Sequence, residues 1–263
     1  MSKERIYAQL LDAGLNPDSI TQLIESAIAE DLDGGVDVTT VATVPAEQLS
    51  RLDLVARAPG VAAGIPVAAL VFEIVAADDG NPIDVDQLRA DGEPLTVGDA
   101  LISITGRTRD LLTAERTALN LLCHLSGVAT ATALWARAFA DAGSATRVRD
   151  TRKTTPLLRR LEKYAVRCGG GVNHRMSLSD AALVKDNHVV AAGGVAEAFA
   201  AVREQFPGVP VEVEVDSLEQ LDDVVAAGAD LVLLDNFTPE QMTQAVRRVG
   251  GRALLEASGG LTL

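Results

Sequence analysis

Polar side chains that could bind anions follow successive apolar runs in the second half of the chain. Arg152 and Lys153 follow the first of these segments, and Lys185 follows the next one, 181–184. An arginine can bind a carboxylate or a phosphate through two parallel hydrogen bonds, whereas a lysine acts as a point charge. We therefore expect Arg152 and Lys153 to contact a phosphate or a carboxylate.

Acidic and glycine-rich segments belong to the later apolar runs. Glu212, Glu214 and Asp216 alternate along one run, so their side chains are expected on one face of a strand. Asp235 ends the following run, and the sequence Ser-Gly-Gly at 258–260 ends the last. The backbone N–H groups of such a glycine-rich segment could hold a phosphate, although three residues alone identify no site.

The charge of the chain is unevenly distributed. Over 263 residues, 23 Lys and Arg oppose 37 Asp and Glu, for a formal net charge of −14. Residues 147–188 hold ten of the basic and four of the acidic residues, a local net charge of +6, together with His174 and His188. The overall acidity and the 3% of aromatic residues argue against a general nucleic-acid surface. A basic segment in an acidic protein instead indicates a local anion site.

These cations also have simpler interpretations. Four of them recur at helical spacing after Pro156 and are expected mostly on a solvated helix face: Arg159, Arg160, Lys163 and Arg167. Arg116 lies in a very apolar helical segment, where it could pair with Glu115. Lys185 would be costly to bury unpaired, so it either meets Asp186 or contacts an anion.

The elements that position these residues fall into two patterns. Before about residue 110, the apolar spacing predicts helices over 19–32 and 65–77 and strands over 49–58 and 101–105. This mixture is typical of an α+β layer, in which helices partly cover a sheet. A long helical stretch follows over 111–141, and we expect an interruption near its Ser-Gly pair at 126 and 127.

Beyond that stretch, short apolar runs alternate with helices. The runs are 181–184, 211–215, 231–234 and 253–255, and the helices lie near 156–168, 194–205, 217–227 and 239–249. With a strand before Arg152, these make five βα steps, which favour parallel strands in a barrel or a doubly wound sheet. Such folds place their active sites at the carboxyl ends of the strands, where the polar residues described above fall.

The cysteines and the apolar segments predict the compartment. Cys123 and Cys168 lack the spacing of a metal site or redox motif, and each is expected to be a small buried hydrophobic residue. The start of the sequence lacks the apolar segment of a secretory signal, and the most apolar stretch, 60–75, is too short to span a bilayer. The sequence therefore predicts a cytoplasmic, reduced protein without membrane association.

Several sequence blocks resemble those of the quinolinate phosphoribosyltransferase family. The blocks that carry the resemblance are RDTRKTTP (149–156), GGGVNHRMSLSDAALVKDNH (169–188), EVEVDSLEQ (212–220), LLDNF (233–237) and EASGG (256–260). The likeness extends upstream to EDLDGGVDVTT (30–40), ARAPGVAAG (56–64) and TAERTALNLLCHLSGVAT (113–130). It therefore covers nearly the whole chain in the family's order.

The resemblance implies a fold and a reaction. The fold is an N-terminal α/β sandwich, 1–115, and a C-terminal α/β barrel of parallel strands, 116–263, which carries the active site. The barrel is expected to be incomplete, because the family's closing strand and tail have no counterpart in this sequence. The reaction joins quinolinate to 5-phosphoribosyl-1-diphosphate with Mg²⁺, and gives nicotinate mononucleotide, diphosphate and CO₂ for NAD biosynthesis.

The resemblance also implies roles for individual residues. The pyridine dicarboxylate would be held by Arg116, Arg152, His174, Arg175 and Lys185, with Arg116 donated across the interface of a homodimer or higher oligomer. The phosphoribosyl donor would be held by Lys153, Glu214, Asp235, Ser258, Gly259 and Gly260, the last three at its 5-phosphate, and Thr151 would be a further substrate-binding residue. Glu214 and Asp235 would hold Mg²⁺ directly or through water. The catalytic set would be Lys153, Lys185, Glu214 and Asp235, and the proton donor for decarboxylation stays open between Lys185 and His174.

Two other functions are compatible with the same fold. One is a paralogous transferase with a different ring acceptor, of the type associated with molybdate transport. The four cations Arg116, Arg152, Arg175 and Lys185 suffice for two carboxylates and argue against it. The other is a non-catalytic barrel that binds a phosphate ligand. Acidic groups such as Glu214 and Asp235 argue against it, because they would weaken a simple anion site.

Overall fold

The computed structural model describes residues 3–78 and 80–263 and divides into two compact units, one up to His174 and the other Arg175–Leu263. Each unit has its own cluster of buried apolar residues. The domains implied by the resemblance, 1–115 and 116–263, have a different boundary and stay a prediction.

Three helices begin the first unit: α1 Lys3–Asp12, α2 Pro17–Leu32 and α3 Val38–Thr43. α2 confirms the predicted helix over 19–32 but begins two residues earlier, after Asn16. The Asn16 side chain caps it by accepting a hydrogen bond from the backbone N–H of Ser19 at 2.9 Å. Ile20 and Ile24 attach this helix to the core of the unit.

An antiparallel sheet and a buried helix follow. The sheet has the order β1 (Leu49–Val55), β5 (Ala100–Arg107), β3 (Asp84–Gln87), and a separate ladder pairs β2 (Gly60–Val61) with β4 (Pro94–Leu95). α4, Ile65–Asp78, buries Leu70 and Phe72 completely. These elements confirm the predicted α+β layer, and the predicted strands and helix of this region are all present.

α5, Thr108–Asp141, is one continuous helix of 34 residues. The predicted interruption near Ser126 and Gly127 is wrong, because a glycine weakens a helix by only about 1 kcal/mol. The Ser126 hydroxyl exchanges hydrogen bonds with the backbone of Ala63 (3.2 and 3.3 Å). By length and composition α5 is the one helix among the described residues that could cross a membrane, but core helices pass the same test, and its Leu111 and Leu125 lie in the core.

α6, Arg159–Cys168, packs against α5. Gly169 ends α6 where the two helices approach closely, and a Cβ there would collide with the backbone oxygen of Ala129. Cys168 is half-buried, less than the predicted full burial, and burial raises the pKa of its thiol to about 11. Cys123 is exposed on α5, so the prediction that it is buried is wrong.

The second unit is a parallel sheet with intervening helices. In chain order its elements are β6 (Ala182–Val184), α7 (Asp186–Ala192), α8 (Val195–Gln205), β7 (Val211–Val215), α9 (Leu218–Ala226), β8 (Leu231–Asp235), α10 (Pro239–Val249) and β9 (Leu254–Ser258). The strand order is β6-β7-β8-β9, and all three pairings are parallel. The predicted mixed α/β fold with parallel strands is confirmed, and the closure of a barrel stays a prediction.

The first of the five predicted βα steps differs from the prediction. Before Arg152 the described chain forms an isolated parallel bridge between Arg149 and Val172, within the first unit, and no extended strand. The apolar content there is a single Val148 between two arginines, too little for a buried strand. In the second unit, the register places Asp235 directly opposite Ser258, so the sheet brings these two predicted site residues together.

Candidate active site

Three predicted site residues of the first unit, Thr151, Arg152 and Lys153, lie on a loop after the isolated bridge. The bridge is held by hydrogen bonds from Asp150 N to Val172 O at 3.1 Å and from Val172 N to Val148 O at 2.8 Å. Beyond it, the Thr151 hydroxyl accepts a hydrogen bond from the backbone N–H of Lys153 at 3.0 Å. The Nε of Arg152 is buried, and no acceptor among the described residues lies within hydrogen-bond distance. A buried donor without a protein acceptor requires an acceptor from outside the chain, such as an ordered water or an anionic ligand.

Lys163 of α6 lies behind this loop. Its side chain is completely buried, and its Nζ donates hydrogen bonds to the Asp150 carboxylate and, at 2.9 Å, to the backbone oxygen of His174. The prediction of a solvated helix face is therefore wrong for Lys163, although Arg160 and Arg167 are exposed. The buried face of α6 is wider than its apolar stripe, and the charge is tolerated there because its donors have acceptors.

The Asp150 carboxylate joins two segments that carry predicted site residues. Besides Lys163, it accepts hydrogen bonds from the backbone N–H of His174 at 2.8 Å and from Asn173 Nδ2 at 2.6 Å. The same Nδ2 of Asn173 donates to the backbone oxygen of Lys163 at 2.8 Å. Asp150 thus fixes the start of the loop with Arg152 and the position of the buried His174 together.

Glu162 holds the far end of the loop. Its carboxylate accepts a hydrogen bond from the backbone N–H of Thr155 at 3.0 Å, and its other oxygen lies 2.8 Å from His124 Nε2. Burial alone would raise the pKa of Glu162, but the hydrogen bonds from Thr155 and His124 outweigh it and lower this pKa below its usual value. A cavity of about 250 Å³ lies at the loop and is lined by Val128, Asp150, Thr151, Lys153, Thr154, Thr155, Glu162, Lys163 and Val166.

In the second unit, Lys185 pairs with a carboxylate on a neighbouring strand. Its Nζ lies 2.7 Å from Glu214 Oε2 on β7, so its partner within the chain is Glu214 and not the expected Asp186, and contact with a substrate anion stays a prediction. The Lys185 side chain is 46% exposed and that of Glu214 is 16% exposed. The pair therefore lies at the surface of this unit, at the carboxyl ends of β6 and β7.

Asp235 is held by two neutral donors. Its Oδ1 accepts a hydrogen bond from the Ser258 hydroxyl at 2.9 Å, and its Oδ2 accepts one from Asn236 Nδ2 at 2.8 Å. Asn236 adopts the left-handed conformation, with φ 55°. A Cβ at Gly259 would collide with the Asn236 side chain, and Gly259 itself has φ +87°, so this glycine is required by local packing.

The predicted site residues divide between the two units. The first unit holds Arg116, Thr151, Arg152, Lys153 and His174. The second holds Arg175, Lys185, Glu214, Asp235, Ser258, Gly259 and Gly260. Arg116 lies on the exposed face of α5, and Arg175 donates a hydrogen bond to the backbone oxygen of Ala181 at 2.9 Å.

Four residues near these sites were missed by sequence reasoning. They are Asp150, Glu162, Lys163 and Asn236. Asn236 directly follows Asp235 in the LLDNF block, and this adjacency was a usable signal. Glu162 and Lys163 had a weaker one, because they stand next to the apolar Leu161 on the side of α6 that is buried.

Both parts of the chain match known proteins. Residues 37–126 match the model of the quinolinate phosphoribosyl transferase N-terminal domain, and residues 128–263 match that of its C-terminal domain. The nicotinate-nucleotide pyrophosphorylase [carboxylating] of Mycobacterium leprae is 51% identical over 249 residues, which are 94% of this chain and 86% of that protein. The human protein of the same name is 39% identical and covers 95% of this chain and 82% of its own length.

A solved structure agrees with these relatives. The crystal structure of NadC from Streptococcus pyogenes superposes with a TM-score of 0.86 at 42% identity and covers 94% of this chain and 86% of that one. Both halves of this chain therefore have the family's sequence and fold. The protein belongs to the quinolinate phosphoribosyl transferase family.

Proposed function

We propose that this protein transfers the phosphoribosyl group of 5-phosphoribosyl-1-diphosphate to quinolinate with decarboxylation, and so produces nicotinate mononucleotide, diphosphate and CO₂ for NAD biosynthesis. Relatives that match this chain over more than four-fifths of their own length bear the name of that activity. The structural observation that carries the proposal is the buried Nε of Arg152 without an acceptor, next to Lys153. A polyanionic substrate would supply the missing acceptor.

Quinolinate carries two adjacent carboxylates, and the proposal assigns them to cationic groups. The first unit supplies Arg152 and His174 to these groups, and the second unit supplies Arg175 and Lys185. Arginine suits the carboxylates because its planar fork donates two parallel hydrogen bonds. This set argues against the paralogue with another ring acceptor, which the names of the relatives do not favour either.

The phosphoribosyl donor is assigned to the remaining residues. Lys153 would bind its phosphates, Glu214 and Asp235 would bind the ribose hydroxyls, and Thr151 is kept as a substrate-binding residue next to Lys153. The hydrogen bonds from Ser258 and Asn236 fix the Asp235 carboxylate before substrate arrives, which lowers the entropy lost on binding. The segment 258–260 stays our proposal for the 5-phosphate.

The same two carboxylates suit a magnesium ion. Glu214 and Asp235 lie toward the carboxyl ends of the neighbouring strands β7 and β8, and Mg²⁺ in phosphate-transferring sites usually takes one or two carboxylates together with substrate phosphates and water. Lys185 already donates to one oxygen of Glu214, which favours contact through water on that side. When bound, the ion would neutralise charge on the diphosphate.

The reaction needs no protein nucleophile. The pyridine nitrogen attacks the anomeric carbon as diphosphate leaves, so the protein contributes mainly orientation and electrostatic stabilisation. Lys153 would stabilise the departing diphosphate, and Glu214 and Asp235 would offset positive charge that develops at the ribose. Loss of CO₂ leaves a carbanion next to the positively charged ring nitrogen, and Lys185 or His174 would then supply a proton.

We also propose that the active form is a cytoplasmic homodimer or higher oligomer, and that it binds neither nucleic acid nor a membrane. Arg116 would reach the site of the neighbouring subunit from the exposed face of α5. A mixed dimer of Arg116→Ala and Lys153→Ala chains should then regain activity at one of its two sites. No recovery in verified mixed dimers would contradict the shared site.

The direct test is the formation of nicotinate mononucleotide by the purified chain from quinolinate, 5-phosphoribosyl-1-diphosphate and Mg²⁺. We expect turnover with quinolinate and none with nicotinate. Binding of the donor without turnover would support the non-catalytic alternative, and a preference for nicotinate would contradict the assigned acceptor. The Arg175→Ala variant should lose quinolinate binding while it still binds the donor.

A further inference from the structure

The loop at 151–155 is attached at both ends to two adjacent residues of one helix. We propose that Glu162 and Lys163 of α6 are positioning residues that fix Arg152, Lys153 and His174 for substrate. The effect on catalysis rests on the function proposed above, whereas the effect on the loop does not.

Lys163 is a charged residue in the interior of the first unit. Its ammonium group is completely buried and is compensated by the Asp150 carboxylate, whose side chain is 7% exposed, and by the backbone oxygen of His174. A buried ion pair rarely stabilises a fold more than apolar side chains of similar volume would. Its directional bonds to Asp150 and to the backbone oxygen of His174 can instead fix one arrangement of the segments that it joins.

Several chain segments meet at the Asp150 carboxylate. Its two carboxylate oxygens accept hydrogen bonds from Lys163 on α6, from the backbone N–H of His174 and from the Asn173 side chain. The carboxylate therefore joins three chain segments that lie 10 to 24 residues apart in sequence. Arg152 lies two residues after this junction, and His174 is part of it.

Glu162 forms a second anchor for the loop, in addition to the pair of Lys163 and Asp150. The carboxylate of Glu162 accepts a hydrogen bond from the backbone N–H of Thr155 and contacts His124 on α5. Only residues 151–154 lie between the two anchors, and this span contains Arg152 and Lys153. Since both anchors stand on consecutive residues of one helix, the loop cannot shift along α6 without breaking at least one of them.

The consequence concerns the Arg152 guanidinium. Its buried Nε–H has no acceptor among the described residues, which costs free energy in the absence of ligand. Without the two anchors the loop could relieve that cost by turning Arg152 toward water. A displacement of about 1 Å at a reacting group can lower a rate by about 100-fold.

The test compares Lys163→Met with Arg160→Met, an exposed cation on the same helix, in the full chain. Amide hydrogen exchange of Thr155 and His174 is measured without substrate, because their N–H groups donate to Glu162 and Asp150. We expect the exchange rates of both amides to rise at least tenfold in Lys163→Met and to stay at the wild-type values in Arg160→Met. We also expect kcat/KM for quinolinate to fall by about 100-fold in Lys163→Met and to be unaffected in Arg160→Met. Since Lys163→Met leaves Asp150 charged in the interior, the double variant Asp150→Asn, Lys163→Met serves if the single one does not fold.

Glu162 supplies an independent test with a conservative rescue. Glu162→Ala removes the acceptor of Thr155, whereas Glu162→Gln retains one. We expect faster exchange of Thr155 and a raised KM for quinolinate in Glu162→Ala, and recovery of both in Glu162→Gln. Folded Lys163 and Glu162 variants with wild-type exchange and wild-type KM would overturn the proposal. If wild-type protein produced no nicotinate mononucleotide, the proposed function would fail, but the exchange measurements would still decide the role of α6.

Discussion

The two units each contain a lysine–carboxylate pair, and the pairs differ in burial. Lys163 and Asp150 are 0% and 7% exposed, and they also bond the backbone and the Asn173 side chain. Lys185 and Glu214 are 46% and 16% exposed. A buried pair cannot separate without leaving a charge unpaired in the interior, so it holds structure, whereas a solvated pair can exchange partners when substrate arrives. A lysine paired with a carboxylate is thus a buried support in one unit and an accessible pair in the other.

The largest expected effect is on the buried pair. Lys163→Met removes one partner and leaves the Asp150 charge uncompensated, which typically costs about 3–5 kcal/mol of unfolding free energy. Urea denaturation followed by far-UV circular dichroism measures this cost. A loss below about 1 kcal/mol would remove the distinction between the two pairs.

The solvated pair is expected to behave in the opposite way. Lys185→Met should change the unfolding free energy by no more than about 1 kcal/mol, because exposed ion pairs contribute little. Its turnover of quinolinate should nevertheless fall by about 100-fold, since the lysine is proposed to contact the substrate. Denaturation and initial-rate measurements on the same preparation test both statements, and a stable variant with full activity would exclude Lys185 from the site.

Asp235 provides an intermediate case, because neutral donors hold it. Removing the hydrogen bond from Asn236 should raise KM for the phosphoribosyl donor by roughly tenfold, as expected for one hydrogen bond to a charged group. Asn236→Gly tolerates the left-handed backbone, whereas Asn236→Ala adds about 1 kcal/mol of strain. Equal KM values but unequal stabilities are therefore expected for the two variants, and a wild-type KM in both would show that Asn236 does not position Asp235.

The smallest effect concerns pH. Hydrogen bonds from Thr155 and His124 hold the pKa of Glu162 below its usual value despite burial. The carboxylate therefore contributes stability above its unfolded pKa, and this contribution is lost as the pH falls through the lower folded pKa. Unfolding free energy measured from neutral to acidic pH should decline less steeply in Glu162→Gln than in wild type. Identical slopes would contradict this role of Glu162.

Sequence reasoning predicted the elements whose signals are local. The period-two pattern of 211–215 and the apolar run of 231–234 correspond to β7 and β8, and their polar ends carry Glu214 and Asp235. Such patterns indicate strands without knowledge of their neighbours, but they did not predict which face is buried, since β7 is buried on both faces and its Glu212 is 3% exposed. The family blocks supplied the remaining candidate residues.

Pairings between distant residues could not be predicted in this way. The burial of Lys163 depends on Asp150 and on the backbone oxygen of His174, and no spacing rule connects these three. Lys185 meets Glu214 because parallel pairing sets β6 beside β7, although Asp186 is its neighbour in sequence. The predicted interruption of α5 is wrong for a related reason. Contact with the backbone of Ala63 overrides the weak local preference of a Ser-Gly pair.

On the proposed function, the cationic residues bind quinolinate, and its decarboxylation follows the bond between the ring nitrogen and the ribose. The most direct measurement uses quinolinate labelled in the carboxylate next to the ring nitrogen, with 5-phosphoribosyl-1-diphosphate and Mg²⁺. We predict that one labelled CO₂ is released for each nicotinate mononucleotide formed, and none when the ribosyl donor is omitted. Release without the donor, or the absence of both products from the folded wild-type chain, would contradict the account.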